Sequence, residues 1–136
     1  MLSIERLLLT VALAHVIAGM ALAALPFAPS IHLKLAVAVF GAAKASEEVL
    51  FLVSVFGPTV ASWGILFFAL VRAYFRHPSG ATWWALLWSV AVWAPLDSAL
   101  CLYYGLVFPV ALNAAVAALI IGLLLGARGL VDRQRE

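Results

Sequence analysis

The chain has 136 residues, of which 67% are hydrophobic and 10% are charged, against about 45–50% apolar and about 25% charged residues in typical soluble domains. This composition excludes an ordinary water-soluble domain and predicts a single membrane domain over residues 1–136. The net charge of +2 does not indicate nucleic-acid binding, because the basic residues lie at the ends of apolar runs and form no single basic face. The single cysteine, Cys101, excludes an intrachain disulfide and a CxxC motif.

The first predicted span covers residues 4–25 and ends at Pro26 and Pro29, which interrupt helices. Arg6 before the apolar run and the sequence Ala21-Leu22-Ala23 also resemble a cleavable secretory signal. The run of about 19 apolar residues exceeds the usual signal core of about 7–15 residues. The sequence therefore favours a retained transmembrane helix.

His15, Gly19 and Ala23 recur at every fourth position within this span. Small residues at this spacing let membrane helices approach closely, so His15 is expected to face protein. Two roles stay open for it. His15 either shares a hydrogen bond with a neighbouring group as part of the packing, or it titrates or binds a ligand.

The segment from residue 31 to 48 does not fit a span. Nine uncharged residues separate Lys34 from Lys44, and as a helix they cover roughly 14 Å, about half of a hydrocarbon core. From His32 to Phe40 apolar residues also alternate with period two, so periodicity alone does not separate a strand from a helix. An interfacial or re-entrant helix is favoured, because a strand edge exposed to lipid leaves backbone groups unpaired.

The second predicted span covers residues 49–75, and the Gly57-Pro58 pair is expected to kink it. Thr59, Ser62 and Trp63 follow the pair on one helical face. Glu48 lies three turns before Thr59 and on the same side.

The third predicted span, residues 82–104, contains a carboxylate, Asp97. A charged side chain at this depth costs several kcal/mol, so an intramembrane carboxylate is a candidate functional group by default. Trp93, Cys101 and Tyr104 share its helical face. The sequence therefore predicts an inner wall that mixes aromatic rings, a carboxyl group and a phenol.

The fourth predicted span covers residues 109–126, with Asn113 as its only strongly polar interior residue, and residues 127–136 form a polar tail. The short connection after residue 104 makes the third and fourth spans an antiparallel hairpin. The Trp83-Trp84 and Tyr103-Tyr104 pairs mark the two membrane boundaries of the third span.

The fold class predicted from these segments is an all-α bundle of four transmembrane helices with an interfacial or re-entrant segment between the first and second. Four spans place six arginines on one side: Arg6, Arg72, Arg76, Arg128, Arg133 and Arg135. Lys34 and Lys44 lie on the other. The positive-inside rule then predicts cytoplasmic N- and C-termini in a bacterial inner (plasma) membrane. A five-span arrangement with an outer N-terminus gives nearly the same charge balance, and the shortness of residues 31–48 argues against it.

With this topology the interior polar residues fall at similar depths, which predicts one polar site open to the outer face. The candidate ligand-binding residues are Asp97, His15, Asn113, Thr59, Ser62, Trp63, Trp93, Tyr104 and Glu48. A purely structural hydrogen-bond network predicts the same pattern, because every buried polar group needs a partner.

Three functions follow from this pattern. The first is a site that binds or translocates a small amphipathic or cationic ligand, with the charge of Asp97 and the aromatic rings as its wall. The second is an accessory or assembly subunit of a larger membrane complex. The third is an intramembrane enzyme acting on a lipid-like substrate, for which the sequence supplies no nucleophile motif.

The partners expected are membrane lipids and a second copy of the chain or a membrane complex, because four helices enclose little volume. The sequence identifies no cofactor. His15 is the only histidine within a span, so haem has no second histidine between spans, and His15 with Asp97 provides too few ligands for a metal site.

Overall fold

A computed structural model describes residues 2–42 and 46–133, and every regular element in these ranges is helical. The helices are α1 (Leu2–Ala24), α2 (Pro29–Phe40), α3 (Glu47–Arg76), α4 (Gly80–Tyr103) and α5 (Val107–Arg133). A single 3-10 turn, Leu25–Phe27, joins α1 to α2. The predicted all-α class is confirmed for the described residues.

Four of these helices are long and apolar enough to cross a membrane, over Ser3–Phe27, Glu47–Arg76, Gly80–Tyr103 and Val107–Gly129. Large apolar side chains on their outer faces are exposed, as Leu96, Leu100 and Leu119 show. Exposed apolar surface on this scale is unfavourable in water and suits a hydrocarbon environment. The four spans expected from the sequence are present as helices.

The period-two pattern left a strand and a helix open for this segment. The structure shows a helix, α2, over residues 29–40. Twelve residues give a length of about 18 Å, which is too short to cross a bilayer. Gly41, with a φ of 82°, ends α2 in a conformation that favours glycine. Lys44 lies outside the described residues, and the interfacial or re-entrant placement of α2 stays a prediction.

Prolines end one helix and are accommodated in two others. Pro26 and Pro29 follow the end of α1, as expected. α3 and α4 continue through Pro58 and Pro95. α5 does not end near Gly126, where the sequence suggests, but continues to Arg133.

The chain divides into two compact units, and the single-domain assignment stays a prediction. The hairpin unit consists of residues 1–12 and 67–136 and contains α4 and α5. The short-helix unit consists of residues 13–66 and contains α2, the second half of α1 and the first two-thirds of α3.

The hairpin unit is organised by the turn between α4 and α5. Gly105 has a φ of 71°, its N–H donates to the Leu102 carbonyl, and the N–H of Leu106 donates to the Cys101 carbonyl. This is a Schellman motif, which pairs the last carbonyls of α4 and reverses the chain. The buried α4 side chains recur at three- and four-residue spacing: Trp83, Leu86, Val90 and Ala94. Buried α5 residues do the same: Asn113, Ala117, Ile120, Leu124 and Ala127.

Trp83, near the start of α4, packs against α5 at the end of the hairpin opposite the turn. Its side chain is 4% exposed, and its indole Nε1 donates to the Leu124 carbonyl at 3.0 Å. The Arg128 guanidinium lies over its ring, 4.4 Å from the centroid. Trp83 therefore packs between α4 and α5, and its place at a membrane boundary stays a prediction.

Replacing Trp83 with phenylalanine should lower the stability of the protein by at least about 1 kcal/mol, the usual net contribution of one hydrogen bond. An aromatic ring remains under Arg128, but the smaller ring leaves part of the buried indole volume empty, and this cavity adds to the loss. Trp84→Phe is the matched control, since Trp84 is 47% exposed. Thermal unfolding followed by circular dichroism measures both. Equal losses for the two variants would contradict this role of Trp83.

The short-helix unit is built on close contact between α1 and α3. A Cβ atom added to Gly19 would lie 2.4 Å from the backbone nitrogen of Ala61, and one added to Gly57 would lie 2.5 Å from that of Ala23. Gly19 and Ala23 on α1 thus face Gly57 and Ala61 on α3, each pair four residues apart and in antiparallel order. The helix approach predicted from the small residues of the first span is confirmed.

Candidate functional site

Asp97 lies on α4 in the hairpin unit, half-buried, and is paired across the hairpin. The Asn113 side chain on α5 donates from Nδ2 to Asp97 Oδ2 at 2.5 Å. The Cys101 thiol, one turn further along α4, lies 4.0 Å from the same oxygen. Asn113 is 7% exposed, so this polar contact is part of the hairpin core. From the sequence, a carboxylate at this depth is expected to bond Asn113 or a hydroxyl of the second span, and the structure shows the bond to Asn113.

Only one of the two carboxyl oxygens of Asp97 has a side-chain contact among the described residues. Asn113 and Cys101 both contact Oδ2, and no described side chain donates to Oδ1 or forms an ion pair with Asp97. A carboxylate within an apolar span normally pairs with a cation or faces a wet cavity. Among the described residues, no side chain donates to the second carboxyl oxygen of Asp97, and no cationic side chain pairs with it.

The two aromatic residues predicted beside Asp97 differ in their placement. Trp93 lies one turn before Asp97 on α4 and is half-buried. Tyr104 follows the last residue of α4 and is 62% exposed, with its ring edge-on against Tyr103 at 5.2 Å. Trp93 can contribute a ring to a site at Asp97, whereas Tyr104 lies at the hairpin turn.

His15 belongs to the short-helix unit, where its ring packs against the indole of Trp63 with the ring centroids 4.7 Å apart. His15 lies one turn before Gly19 on α1, so the contact continues the close approach of α1 and α3. The expectation that His15 faces protein is confirmed, and a packing role accounts for its position.

Thr59, Ser62 and Trp63 line one open depression on α3, together with Pro58 and Leu66. Its volume is about 430 Å³. The shared face predicted for these three residues is therefore present in the structure.

Glu48 lies apart from this depression, exposed in the first turn of α3. A carboxylate there interacts favourably with the positive end of the helix dipole. Its position has a structural explanation that requires no ligand.

The predicted site residues thus form two sets within the two units. Asp97, Asn113 and Trp93 lie in the hairpin unit, where the first two are in contact. The other set lies in the short-helix unit and comprises His15, Thr59, Ser62 and Trp63. Convergence of both sets on one layer stays a prediction.

One buried polar pair, His32 and Ser54, is not predicted from the sequence. His32 on α2 is 6% exposed, and its Nε2 lies 3.4 Å from Ser54 Oγ on α3. The sequence places His32 in an ambiguous segment and Ser54 within a long apolar run. The usable signal is the helical spacing of His32 and Ala36, which are the two buried residues of α2.

Comparison of the chain with protein-family models, curated proteins and solved structures finds no match. Its function is therefore argued from the chemistry of its own residues.

Proposed function

We propose that the protein is an integral membrane protein that binds or translocates a small amphipathic cation at Asp97. The observation that supports this proposal is the Asp97 carboxylate on α4, held by Asn113 and without an ion pair among the described side chains. A hydrophobic cation meets both demands of such a site, since it neutralises the charge and tolerates the apolar surroundings.

Each residue of the hairpin set has a distinct role in this proposal. Asn113 fixes Oδ2 of Asp97 and leaves Oδ1 to meet the ligand. Trp93, one turn away, offers a ring face, and cations over indole rings gain about 0.5–2 kcal/mol according to how far they are desolvated. The depression at Thr59, Ser62 and Trp63 in the short-helix unit is a separate candidate without a charge of its own.

The membrane arrangement is part of the proposal. The four long helices cross an inner (plasma) membrane as a bundle, with both termini cytoplasmic and α2 on the outer side, following the distribution of basic residues. A transporting form would be a homo-oligomer, because a bundle of four helices encloses little volume.

Binding of tetraphenylphosphonium, a lipophilic cation, to the purified protein tests the proposal. The wild-type protein should bind it saturably, and Asp97→Asn should weaken binding about 10- to 100-fold, since charge-assisted contacts contribute about 1.5–3 kcal/mol. The substitution keeps the side-chain shape and a hydrogen bond to Asn113. Equilibrium dialysis measures the affinities.

Two controls sharpen this test. Tetraphenylborate has nearly the same shape with the opposite charge, so Asp97→Asn should not weaken its binding. Glu47→Gln removes an exposed carboxylate at the start of α3 and should leave cation affinity unchanged. Equal tetraphenylphosphonium affinity in wild type and Asp97→Asn would contradict the proposal and favour an accessory subunit whose polar pair serves packing.

A further inference from the structure

Aromatic rings and an arginine form a patch at the end of the hairpin opposite the turn. The Arg128 guanidinium is 4.4 Å from the centroid of the Trp83 ring and 5.9 Å from that of Trp84. The Trp83 and Trp84 rings meet edge to face with centroids 4.9 Å apart, and Trp84 stacks on Trp88 at 6.5 Å. These four residues are called the arginine–tryptophan patch, and none of them belongs to the Asp97 site.

The patch holds the charge of Arg128 in a fixed place. Trp83 is 4% exposed, and its indole N–H donates to the Leu124 carbonyl at 3.0 Å, so the ring beside the guanidinium is locked. Leu124 lies one turn before Arg128 on α5. A cation over an indole face is attracted by the ring. The guanidinium is therefore held where α4 and α5 meet.

Arg128 is also accessible to a ligand. Its side chain is exposed, although one side of the guanidinium faces the Trp83 ring. A guanidinium carries five N–H donors, so it can contact a ligand in addition to partners within the chain. Its planar set of donors matches the oxygens of phosphate and carboxylate groups, which it binds through two parallel hydrogen bonds. The ligand indicated is an anion of one of these kinds.

The exposed tryptophans indicate that a lipid supplies this anion. Trp84 is 47% exposed and Trp88 60% exposed. Trp88 lies one turn further along α4, about 6 Å deeper into the apolar span. Arg128 is the next-to-last residue of the apolar stretch Val107–Gly129, and tryptophans at such helix ends are typical of the headgroup level of a bilayer. A phospholipid with its phosphate at Arg128 therefore lays an acyl chain against Trp84 and Trp88.

The charge of the patch indicates which phospholipid fits. A choline or ethanolamine headgroup brings a second cation beside the guanidinium, and like charges repel, whereas a glycerol headgroup brings none. We propose that the arginine–tryptophan patch binds an anionic phospholipid of the phosphatidylglycerol class, with the phosphate on Arg128 and an acyl chain on Trp84 and Trp88. The proposal rests on the membrane arrangement proposed above, in which this end of the hairpin faces the anionic cytoplasmic leaflet, and not on cation binding at Asp97.

Quenching of tryptophan fluorescence by brominated phospholipids tests this site. The protein is reconstituted in phosphatidylcholine vesicles that contain increasing amounts of phosphatidylglycerol or phosphatidylcholine, each brominated near the headgroup end of one acyl chain. Bromine quenches a tryptophan on contact, so the signal reports lipids that lie against exposed rings. Half-maximal quenching should need about fivefold less brominated phosphatidylglycerol than brominated phosphatidylcholine, as expected for one arginine near an anionic lipid.

Three variants locate this preference. Arg128→Gln should remove it, so that both probes quench at the same concentration. Arg76→Gln is the matched control, because it removes an exposed arginine of the same unit at the end of α3, and it should keep the fivefold preference. The double variant Trp84→Phe/Trp88→Phe removes the two exposed rings and should abolish the response that differs between the probes.

Four outcomes would overturn the proposal. A preference that persists in Arg128→Gln, or equal losses in Arg128→Gln and Arg76→Gln, would replace the site with general attraction of anionic lipids. A preference that persists without Trp84 and Trp88 would place the lipid elsewhere. Loss of the preference in excess inorganic phosphate, compared with chloride at equal ionic strength, would indicate a soluble anion as the ligand. Absence of quenching by either probe would instead show that the membrane arrangement itself fails.

Discussion

Replacing Gly19 with alanine is expected to destabilise the protein by about 1–3 kcal/mol, the usual cost of overpacking a tight interior. The new methyl group would lie 2.4 Å from the Ala61 nitrogen and 2.5 Å from the Gly57 carbonyl oxygen. Both obstacles are backbone atoms, so no side-chain rotation relieves the contact and α1 must move away from α3. The gain of about 1 kcal/mol that alanine normally brings to a helix interior does not offset this displacement.

The chain offers a matched control in Gly122→Ala. Gly122 is also helical, on α5, but a Cβ atom there would meet nothing within 4 Å. Its replacement should leave stability unchanged or raise it by up to about 1 kcal/mol. Unfolding in mixed micelles with increasing dodecyl sulfate, followed by circular dichroism, measures both variants. If Gly19→Ala and Gly122→Ala behaved alike, the backbone contact of α1 with α3 would be refuted.

The sequence predicts one side of this contact and misses the other. His15, Gly19 and Ala23 recur at helical spacing, which indicates an interface on α1, and the structure confirms it. Gly57 precedes Pro58, and the pair predicts a kink instead of a packing surface. Helical spacing identifies the face of one helix, but the helix that meets it depends on tertiary packing.

The sequence also does not show which aromatic residue packs against another helix. Trp83 and Trp84 are adjacent at the start of α4 and fit a membrane boundary equally well from the sequence. In the structure Trp83 is 4% exposed and bonded to Leu124, whereas Trp84 is 47% exposed. Adjacent helical positions point in different directions, and the continuation of α5 past Gly126 places Arg128 over the Trp83 ring.

The Asp97–Asn113 pair is more predictable because its cause is local. A short turn makes α4 and α5 antiparallel neighbours, and two polar groups in apolar spans lower their cost by meeting. His32 and Ser54 also pair because buried polar groups need partners. This pair is not predicted from the sequence, since the pattern of residues 31–48 does not reveal that α2 packs on α3. Pairing follows from the sequence where the connection is short, and not where 22 positions separate the partners.

Replacing Asn113 with leucine is expected to lower stability by about 3 kcal/mol, because it removes the Nδ2 donor and leaves the Asp97 carboxylate without its partner. Asp97→Asn should cost only about 1 kcal/mol, since an amide pair retains a hydrogen bond. The double variant Asp97→Leu/Asn113→Leu should recover most of the loss, because replacing both polar groups leaves none to satisfy within the apolar hairpin.

The double variant also separates stability from function. With both leucines the hairpin should unfold at nearly the wild-type dodecyl sulfate concentration, yet tetraphenylphosphonium binding should be lost because the carboxylate is gone. Asp97 would then be retained for its charge and not for the packing of α4 on α5. If the double variant were as unstable as Asn113→Leu while Asp97→Leu alone left stability unchanged, the two residues would not be coupled, and the contact between Nδ2 and Oδ2 would contribute little to the hairpin. Unchanged cation binding in a folded double variant would instead place the ligand elsewhere on the protein.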